Sequence, residues 1–186
     1  MLVDGPLEVL ILCGSPRPDS STHRALGVAA EGIVQAGGVP VWADPWMDKL
    51  PVLGTGGDNH PAVAEFLGAA HRARGFLWGT PEYHGTCSGM LKNALDYLSR
   101  DHTEGKWAAF VATSGGRQGA LGTLITLRLV ARSLHLWTLP EEVSLASSAK
   151  AWDQDGKLSD PEMARKLRRL GVGLVDALQR LGPPRV

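Results

Sequence analysis

Short apolar runs alternate along this chain with longer stretches in which apolar positions recur every third or fourth residue. Residues 7–13 (LEVLILC) form an apolar run that stops at Gly14, the pattern of a strand buried on both faces. Residues 22–36 (THRALGVAAEGIVQA) carry helical spacing and end at Gly37-Gly38, a C-terminal stop. A strand is predicted near 39–43, a long Pro-, Gly- and Asp-rich surface loop over 44–61, and a helix over 61–72. The run 74–79 (RGFLWG) predicts a third strand. A helix over 88–100 follows, with Ser88 as its N-cap and Leu91, Leu95 and Leu98 on one side. Residues 106–113 (KWAAFVAT) read as a strand, about 120–133 as a helix and 134–139 (LHLWTL) as the last strand. The closing helix spans 160–181, capped near Ser159 or Asp160 with Pro161 in its first turn. Five strands alternating with five helices predict an α/β fold, a doubly wound parallel sheet, in one domain covering residues 1–186.

In such sheets ligands bind outside the carboxyl ends of the strands, near the point where strand order reverses. The loops after the first, third and fourth strands are therefore the candidates: GSPRPDSST, TPEYHGTCSG and TSGGRQGALG, all rich in turn residues and hydroxyls. The first leads into a helix, so its amides and the helix N-terminus point at one place, with Ser15, Ser20, Ser21 and Thr22 adding hydroxyls and Arg17 a forked cation. That set suits a phosphomonoester; a plain N-cap by Ser20 or Thr22 accounts for one hydroxyl only. Neither Gly-x-Gly-x-x-Gly nor the Walker spacing follows the first strand, which disfavours a dinucleotide or triphosphate as the tightly held ligand and leaves a mononucleotide. The third loop offers the amides of Gly115, Gly116 and Arg117 without side-chain obstruction, donors suited to an electron-rich edge; a tight turn into the next helix is the plain alternative. In the second, Pro81 stiffens the chain, Tyr83 and His84 offer flat rings with polar tips, and Gly85 permits close main-chain approach.

Composition narrows the partners. With 186 residues and 44% hydrophobic content the chain can bury a substantial core, and 19 basic against 19 acidic side chains leave no formal charge to attract nucleic acid or an anionic membrane. A small-molecule site fits better. Cys13 and Cys87 lack Cys-x-x-Cys spacing, so no disulfide framework or zinc cluster is indicated and a reducing cytoplasm is expected. Cys13 reads as a small buried hydrophobe; Cys87 precedes a helix, where a thiolate is favoured, but the absence of a second nearby Cys argues against a redox role. His23, His60, His71, His102 and His135 show no ligand spacing, and no metal is predicted. The start, MLVDGPLEVLILCGS, is too short in its apolar part to span a bilayer, and Asp4 occupies what would be a signal peptide's positive region, so no targeting segment is expected.

The segment GSPRPDSSTHRAL resembles the GSxRxxSxNxxL phosphate motif of the NADPH-dependent FMN reductase family, and TPEYHGTCSGMLKNALDYL resembles its PEYNxSxxGxLKNAIDW signature. With TSGGRQGA in the expected place, the resemblance extends in element order over residues 7–180. It implies a three-layer α/β/α flavodoxin-like sandwich with a five-stranded parallel sheet in the order 2-1-3-4-5. It also implies bound FMN, NADPH or NADH as co-substrate, and ping-pong reduction of quinone, azo, metal-oxyanion (chromate) or free-flavin acceptors. Residue by residue, it puts Ser15, Arg17, Ser20 and Thr22 on the FMN phosphate, with Ser21 beside them. It puts Pro81, Glu82, Tyr83 and His84, with Gly85, along the ribityl chain and isoalloxazine, and Ser114, Gly115 and Gly116 at the pyrimidine end. Thr22 and His84 stand where the family usually has Asn, and Thr86 where Ser is common. No side chain is assigned a catalytic role, because the cofactor carries the chemistry. The resemblance further implies a homodimer or homotetramer, for which Met90, Leu91, Ala94, Tyr97 and Leu98 offer either an interface or packing into their own sheet. Two other readings stand beside it: a flavodoxin-type FMN electron carrier without its own nicotinamide site, and a mononucleotide or phosphosugar binder without flavin.

Overall fold

The fold was described from a computed structural model for residues 5–57 and 59–181. Asp4, the two ends of the 1–186 span and Asp58 of the long loop lie outside the described residues. The chain runs β1 (Glu8–Cys13), α1 (Ser21–Gln35), β2 (Val39–Trp42), α2 (Asp44–Met47), α3 (Pro61–Arg72), β3 (Gly75–Pro81), α4 (Gly89–Tyr97) and α5 (Arg100–Thr103). It continues with β4 (Trp107–Thr113), α6 (Leu121–Ser133), β5 (Trp137–Thr138), β6 (Val143–Leu145), a 3-10 turn at Ser148–Lys150 and α7 (Pro161–Leu181).

The strands form one parallel sheet in the order β2-β1-β3-β4-β5, with β6 also on β4. This is the expected order with one strand more. The run 134–139 yields only β5, paired through Trp107↔Trp137 and Ala108↔Thr138, and β6 completes the same edge through Val111↔Val143 to Thr113↔Leu145. Pro140 separates the two pieces and has no N–H to give a ladder. Arg128 of α6 holds the interruption together, donating to Thr138 Oγ1, the Leu139 and Pro140 carbonyls and the Glu142 carboxylate.

The near-continuous apolar runs of β1, β3 and β4 are explained by burial on both faces. Leu10, Leu12, Phe76, Trp78 and Phe110 face α3, α4 and α6, whereas Val9, Ile11, Leu77 and Val111 face α1 and α7. The helices α1 and α7 cross in backbone contact: a Cβ on Gly32 would lie 2.0 Å from the Arg168 carbonyl oxygen, and one on Gly171 2.0 Å from that of Ala29.

Two more boundaries differ from expectation. The stretch read as a surface loop contains α2, and Pro51 within it is tied to α4, its carbonyl accepting from Asn93 Nδ2 and the Tyr97 hydroxyl. The helix expected over 88–100 ends at Tyr97, because Leu98 leaves helical geometry (ψ 137°) and Ser99 caps α5, its N–H donating to His102 Nδ1. Leu91, Ala94, Tyr97 and Leu98 pack into the protein's own core rather than presenting an interface.

Candidate functional site

Parallel strands end together, so the loops after β1, β3 and β4 leave the sheet at one edge. The first loop is an extended turn closed by Ser20 N–H to the Arg17 carbonyl, with Ser15 Oγ accepting from Arg17 N–H at 3.4 Å. Ser20 caps α1 by accepting from His23 N–H, and Ser15 and Ser20 are buried while Arg17 is exposed. The amide hydrogens of Ser21 and Thr22, the first two of α1, have no acceptor among the described residues. Such amides at the positive end of a 15-residue helix make an anion cradle.

Thr22 is 1% exposed, and its hydroxyl pairs with that of Thr113 at 2.8 Å, inside the edge. Its short side chain joins the start of α1 to the end of β4. Ser21 is likewise engaged, donating to the Ser148 carbonyl.

The second loop is a tight hairpin. Tyr83 and Thr86 exchange both backbone hydrogen bonds, and the central residues His84 and Gly85 have φ of 53° and 83°. This is the type I′ pattern, whose first central position favours Asn and whose second favours Gly. Tyr83 and His84 are exposed at its tip. Glu82 ties the hairpin to the third loop, its N–H donating to the Thr113 carbonyl and its carboxylate accepting from Thr123 Oγ1 of α6. Pro81 closes β3 opposite Thr113. Behind the hairpin, Ser88 Oγ donates to the Gly14 carbonyl at 2.6 Å and accepts from Leu91 N–H, so one hydroxyl caps α4 and locks the first loop to the second.

In the third loop Ser114 is buried and joined to the β6 segment, its N–H donating to the Leu145 carbonyl and its carbonyl accepting from Ser148 N–H. Gly115 and Gly116 are exposed; a Cβ on either would meet nothing within 4 Å. The amides of Gly115, Gly116, Arg117 and Gln118 have no acceptor among the described residues. Donors with open space before them suit the anionic edge of a reduced flavin ring. Taken together, the helix amides, the Ser15 hydroxyl, Arg17 and the glycine amides match the donor set that a phosphorylated flavin requires.

Both cysteines are buried and held toward the thiol form. Burial pushes the Cys13 thiol up to about 12 and also raises that of Cys87, the reverse of the thiolate expected from Cys87's place before a helix. Cys87 is 7% exposed, and desolvation outweighs the help of neighbouring donors. Beside the first loop, His23 stacks on Trp42 with ring centroids 4.5 Å apart and pairs with Asp44 at 3.2 Å. Burial raises the Asp44 carboxyl despite that histidine. Among the described residues no group of acidic, His or Cys side chains has the arrangement of a metal site.

Several residues of the site escaped sequence reasoning: Thr80, whose hydroxyl accepts from Ser88 N–H; Thr113 and Thr123; and Ser144, which accepts from Ala120 N–H. For Thr80 and Thr113 a signal existed, a hydroxyl at the carboxyl end of an apolar strand. Thr123 and Ser144 carry none, because their partners are remote in sequence.

The sequence pattern of the family described as NADPH-dependent FMN reductase matches residues 7–150. NAD(P)H-dependent FMN reductase PA1204 of Pseudomonas aeruginosa is 32% identical over 87% of this chain and 89% of its own length. NADPH-dependent FMN reductase ArsH of Shigella flexneri is 30% identical over 82% of this chain but only 61% of its own length. The chain thus spans less than two thirds of that ArsH protein and of two further ones it matches, at 64% and 66%. FerB, a flavoenzyme NAD(P)H:(acceptor) oxidoreductase from Paracoccus denitrificans, superimposes with a TM-score of 0.75 at 24% identity, over 91% of this chain and 95% of that one. An archaeal flavodoxin aligns with a TM-score of 0.66 at 11% identity, over 93% and 99%, a likeness of fold alone. Motif, fold and matched span agree, and the chain belongs to the NADPH-dependent FMN reductase family.

Proposed function

We propose that this protein is an FMN-dependent NAD(P)H oxidoreductase that reduces small acceptors such as quinones, azo compounds, metal oxyanions or free flavin. The observation that carries this reading is the convergence of unbonded amides from two loops, at Ser21–Thr22 and Gly115–Gln118, on one sheet edge beside an exposed Arg17. When bound there, FMN accepts a hydride from reduced nicotinamide and passes two electrons to the acceptor.

The chain's own residues bind and orient. The Ser21 and Thr22 amides, Ser15 and Arg17 hold the phosphate. Ser20 keeps the α1 N-terminus formed, and Thr22 acts through Thr113 to fix the first loop against the third. Pro81 and the hairpin of Tyr83, His84, Gly85 and Thr86 border the ring, held in place by Glu82 on Thr123. Gly115 and Gly116 present amide donors at the pyrimidine edge, and Ser114 positions them through its own bonds to the Leu145 and Gly116 carbonyls. No side chain is required as nucleophile or acid.

The active form is a homodimer assembled through α6, whose Leu121, Ile125 and Leu129 are 61%, 54% and 61% exposed along one face. That stripe begins where the third loop ends, so a second copy seated on it borders the site. The free, buried thiols suit a reducing cytoplasm. No described helix is long and apolar enough to cross a membrane.

Reconstitution with FMN tests the reading. The protein turns yellow, NADPH or NADH bleaches the bound flavin within the stopped-flow window, and a quinone or azo dye restores the colour. Slow bleaching with fast electron exchange to a protein partner moves the assignment to a flavodoxin-type carrier. Failure to take up FMN sinks both.

A further inference from the structure

At the amino-terminal ends of the strands, opposite the flavin edge, a depression of about 430 Å³ opens at the starts of β1, β3 and β4. The seven residues of β3 run from Gly75 at this end to Pro81 at the other, so the two edges lie about 20 Å apart. Leu7, Trp107 and Leu178 give the depression an apolar wall, and Arg72, Arg74 and Lys106 a cationic one. Among the described residues none of these three cations has a carboxylate within ion-pair distance. Two carboxylates stand at the rim: that of Glu104 is taken by Arg100, and that of Glu8 pairs with no cation among the described residues. Packing accounts for part of this arrangement. Arg72 belongs to the last turn of α3, where the helix dipole favours a cation. Lys106 caps the same helix end, its Nζ donating to the Ala70 and His71 carbonyls at 2.8 Å and lying 5.8 Å from the centroid of the Phe76 ring. An ammonium carries three donors, and the third has no acceptor among the described residues. Arg74 has no such structural role. Its guanidinium makes no hydrogen bond or ion pair among the described residues, and its place beside a half-buried ammonium disfavours that ammonium's charge.

We propose that this depression binds a small organic carboxylate, its charged end between Arg74 and Lys106 and its apolar body against Leu7, Trp107 and Leu178. Two neighbouring cations without a counterion repel, and an anion seated between them turns that repulsion into attraction. A guanidinium fork meets a carboxylate by paired charge-assisted hydrogen bonds, and the remaining ammonium N–H supplies one more. An inorganic oxyanion would leave the apolar wall wet, and Glu8 at the rim works against a second negative charge. The volume suits a body of about one ring. No residue of this depression belongs to the flavin edge, so the inference stands independently of the oxidoreductase reading.

Calorimetry on the FMN-loaded protein compares benzoate with benzyl alcohol, which keeps the body, and with inorganic phosphate, which keeps only charge. Benzoate is expected to bind once per chain, about tenfold or more tighter than either, without changing the flavin absorbance. Arg74→Gln is expected to weaken benzoate about tenfold or more, as loss of a charged hydrogen bond requires, with FMN affinity and circular dichroism unchanged. A bound carboxylate strengthens the hold of Lys106 on its proton, so benzoate affinity should fall as pH rises above about 8, the value to which burial and Arg74 bring that ammonium. His71, His102, Glu8 and Glu104 are the other titratable groups around it, and Lys106→Met, checked for native circular dichroism, should remove this fall while they remain. Benzoate binding no tighter than benzyl alcohol or phosphate, or binding that Arg74→Gln leaves intact, would overturn the proposal. Binding that Arg74→Gln leaves intact and that shifts the flavin absorbance puts the carboxylate on the opposite edge instead. If the protein takes up no FMN, the oxidoreductase reading fails, and the same titration on the protein as purified still decides the depression.

Discussion

The hairpin tip is where a single residue type matters most. His84 sits at φ 53°, a region that costs an ordinary L-residue about 1–2 kcal/mol and that Asn tolerates better. The Asn of the motif that this loop resembles is thereby explained as a turn requirement, and His84 as a residue that meets it less well. His84→Asn is expected to hold or slightly raise the thermal midpoint. His84→Val, with a branched Cβ at positive φ, is expected to lower it by several degrees and weaken FMN binding. Equal midpoints for the two variants would show that the turn is not held as described. Ser88 carries a heavier load, since its hydroxyl both caps α4 and donates to the Gly14 carbonyl, and both groups are buried. Ser88→Ala is expected to cost about 2–3 kcal/mol in urea unfolding, the sum of a lost cap and an orphaned carbonyl. A loss under about 0.5 kcal/mol, within the range of plain surface substitutions, would remove it from that role. Residues of this kind divide by legibility. Ser20 and Ser88 could be read as caps because cap and first turn are adjacent in sequence. Thr22 could be read as a cap or a phosphate ligand but not as the partner of Thr113, which is 91 positions away.

Elements were legible where one constraint dominates. The strands β1, β3 and β4 are apolar on both faces, and the turn residues that end them are explicit. The edge of the sheet was not legible, because β5 and β6 are only two and three residues long and divided at Pro140, and their joint position depends on Arg128 reaching across from α6. The α1–α7 crossing is set by glycines whose purpose appears only in three dimensions. Gly32→Ala places a methyl carbon against the Arg168 carbonyl, and separating the helices is expected to cost about 1–3 kcal/mol, whereas Gly27→Ala on the same helix, where nothing lies within 4 Å, is expected to stabilise by about 0.5–1 kcal/mol. Matching effects at the two sites would contradict the close crossing. The end of α3 offers a pH test. Lys106 Nζ donates to the Ala70 and His71 carbonyls, and burial, with Arg74 nearby, pulls its pKa from 10.5 down to about 8. Between those values the unfolded chain binds more protons at this site than the folded one, so the contribution to stability rises with pH from about 8 to 10.5 and is lost as pH falls through 8. The stability of wild type relative to Lys106→Met should therefore improve across that window, and a flat or falling difference would contradict the burial of the ammonium.

At the scale of the whole molecule, apolar surface that the fold leaves uncovered needs an account. Scattered exposed hydrophobics are ordinary, but Leu121, Ile125 and Leu129 recur every fourth residue on one face of α6, and Val52 and Leu53 lie exposed on the same helical layer, beside α4. Of the two roles open to α4, interface or packing into its own sheet, the second is the one seen: its leucines are buried inward, in the core. The stripe on α6, nearer the sheet edge, is exposed, and the homodimer proposed above would cover it. A stable homodimer buries about 800 Å² per partner, more than three side chains supply, so the proposed contact would have to extend beyond the stripe. Ile125→Glu puts a charge at the middle of that face, at a residue 54% exposed. The wild-type protein is expected to sediment at twice the chain mass, and Ile125→Glu as a monomer with unchanged circular dichroism. Because the stripe starts at the third loop, the monomer should also hold FMN more weakly. A wild-type monomer, or a variant that remains dimeric, would place the association elsewhere and leave the α6 face without a partner.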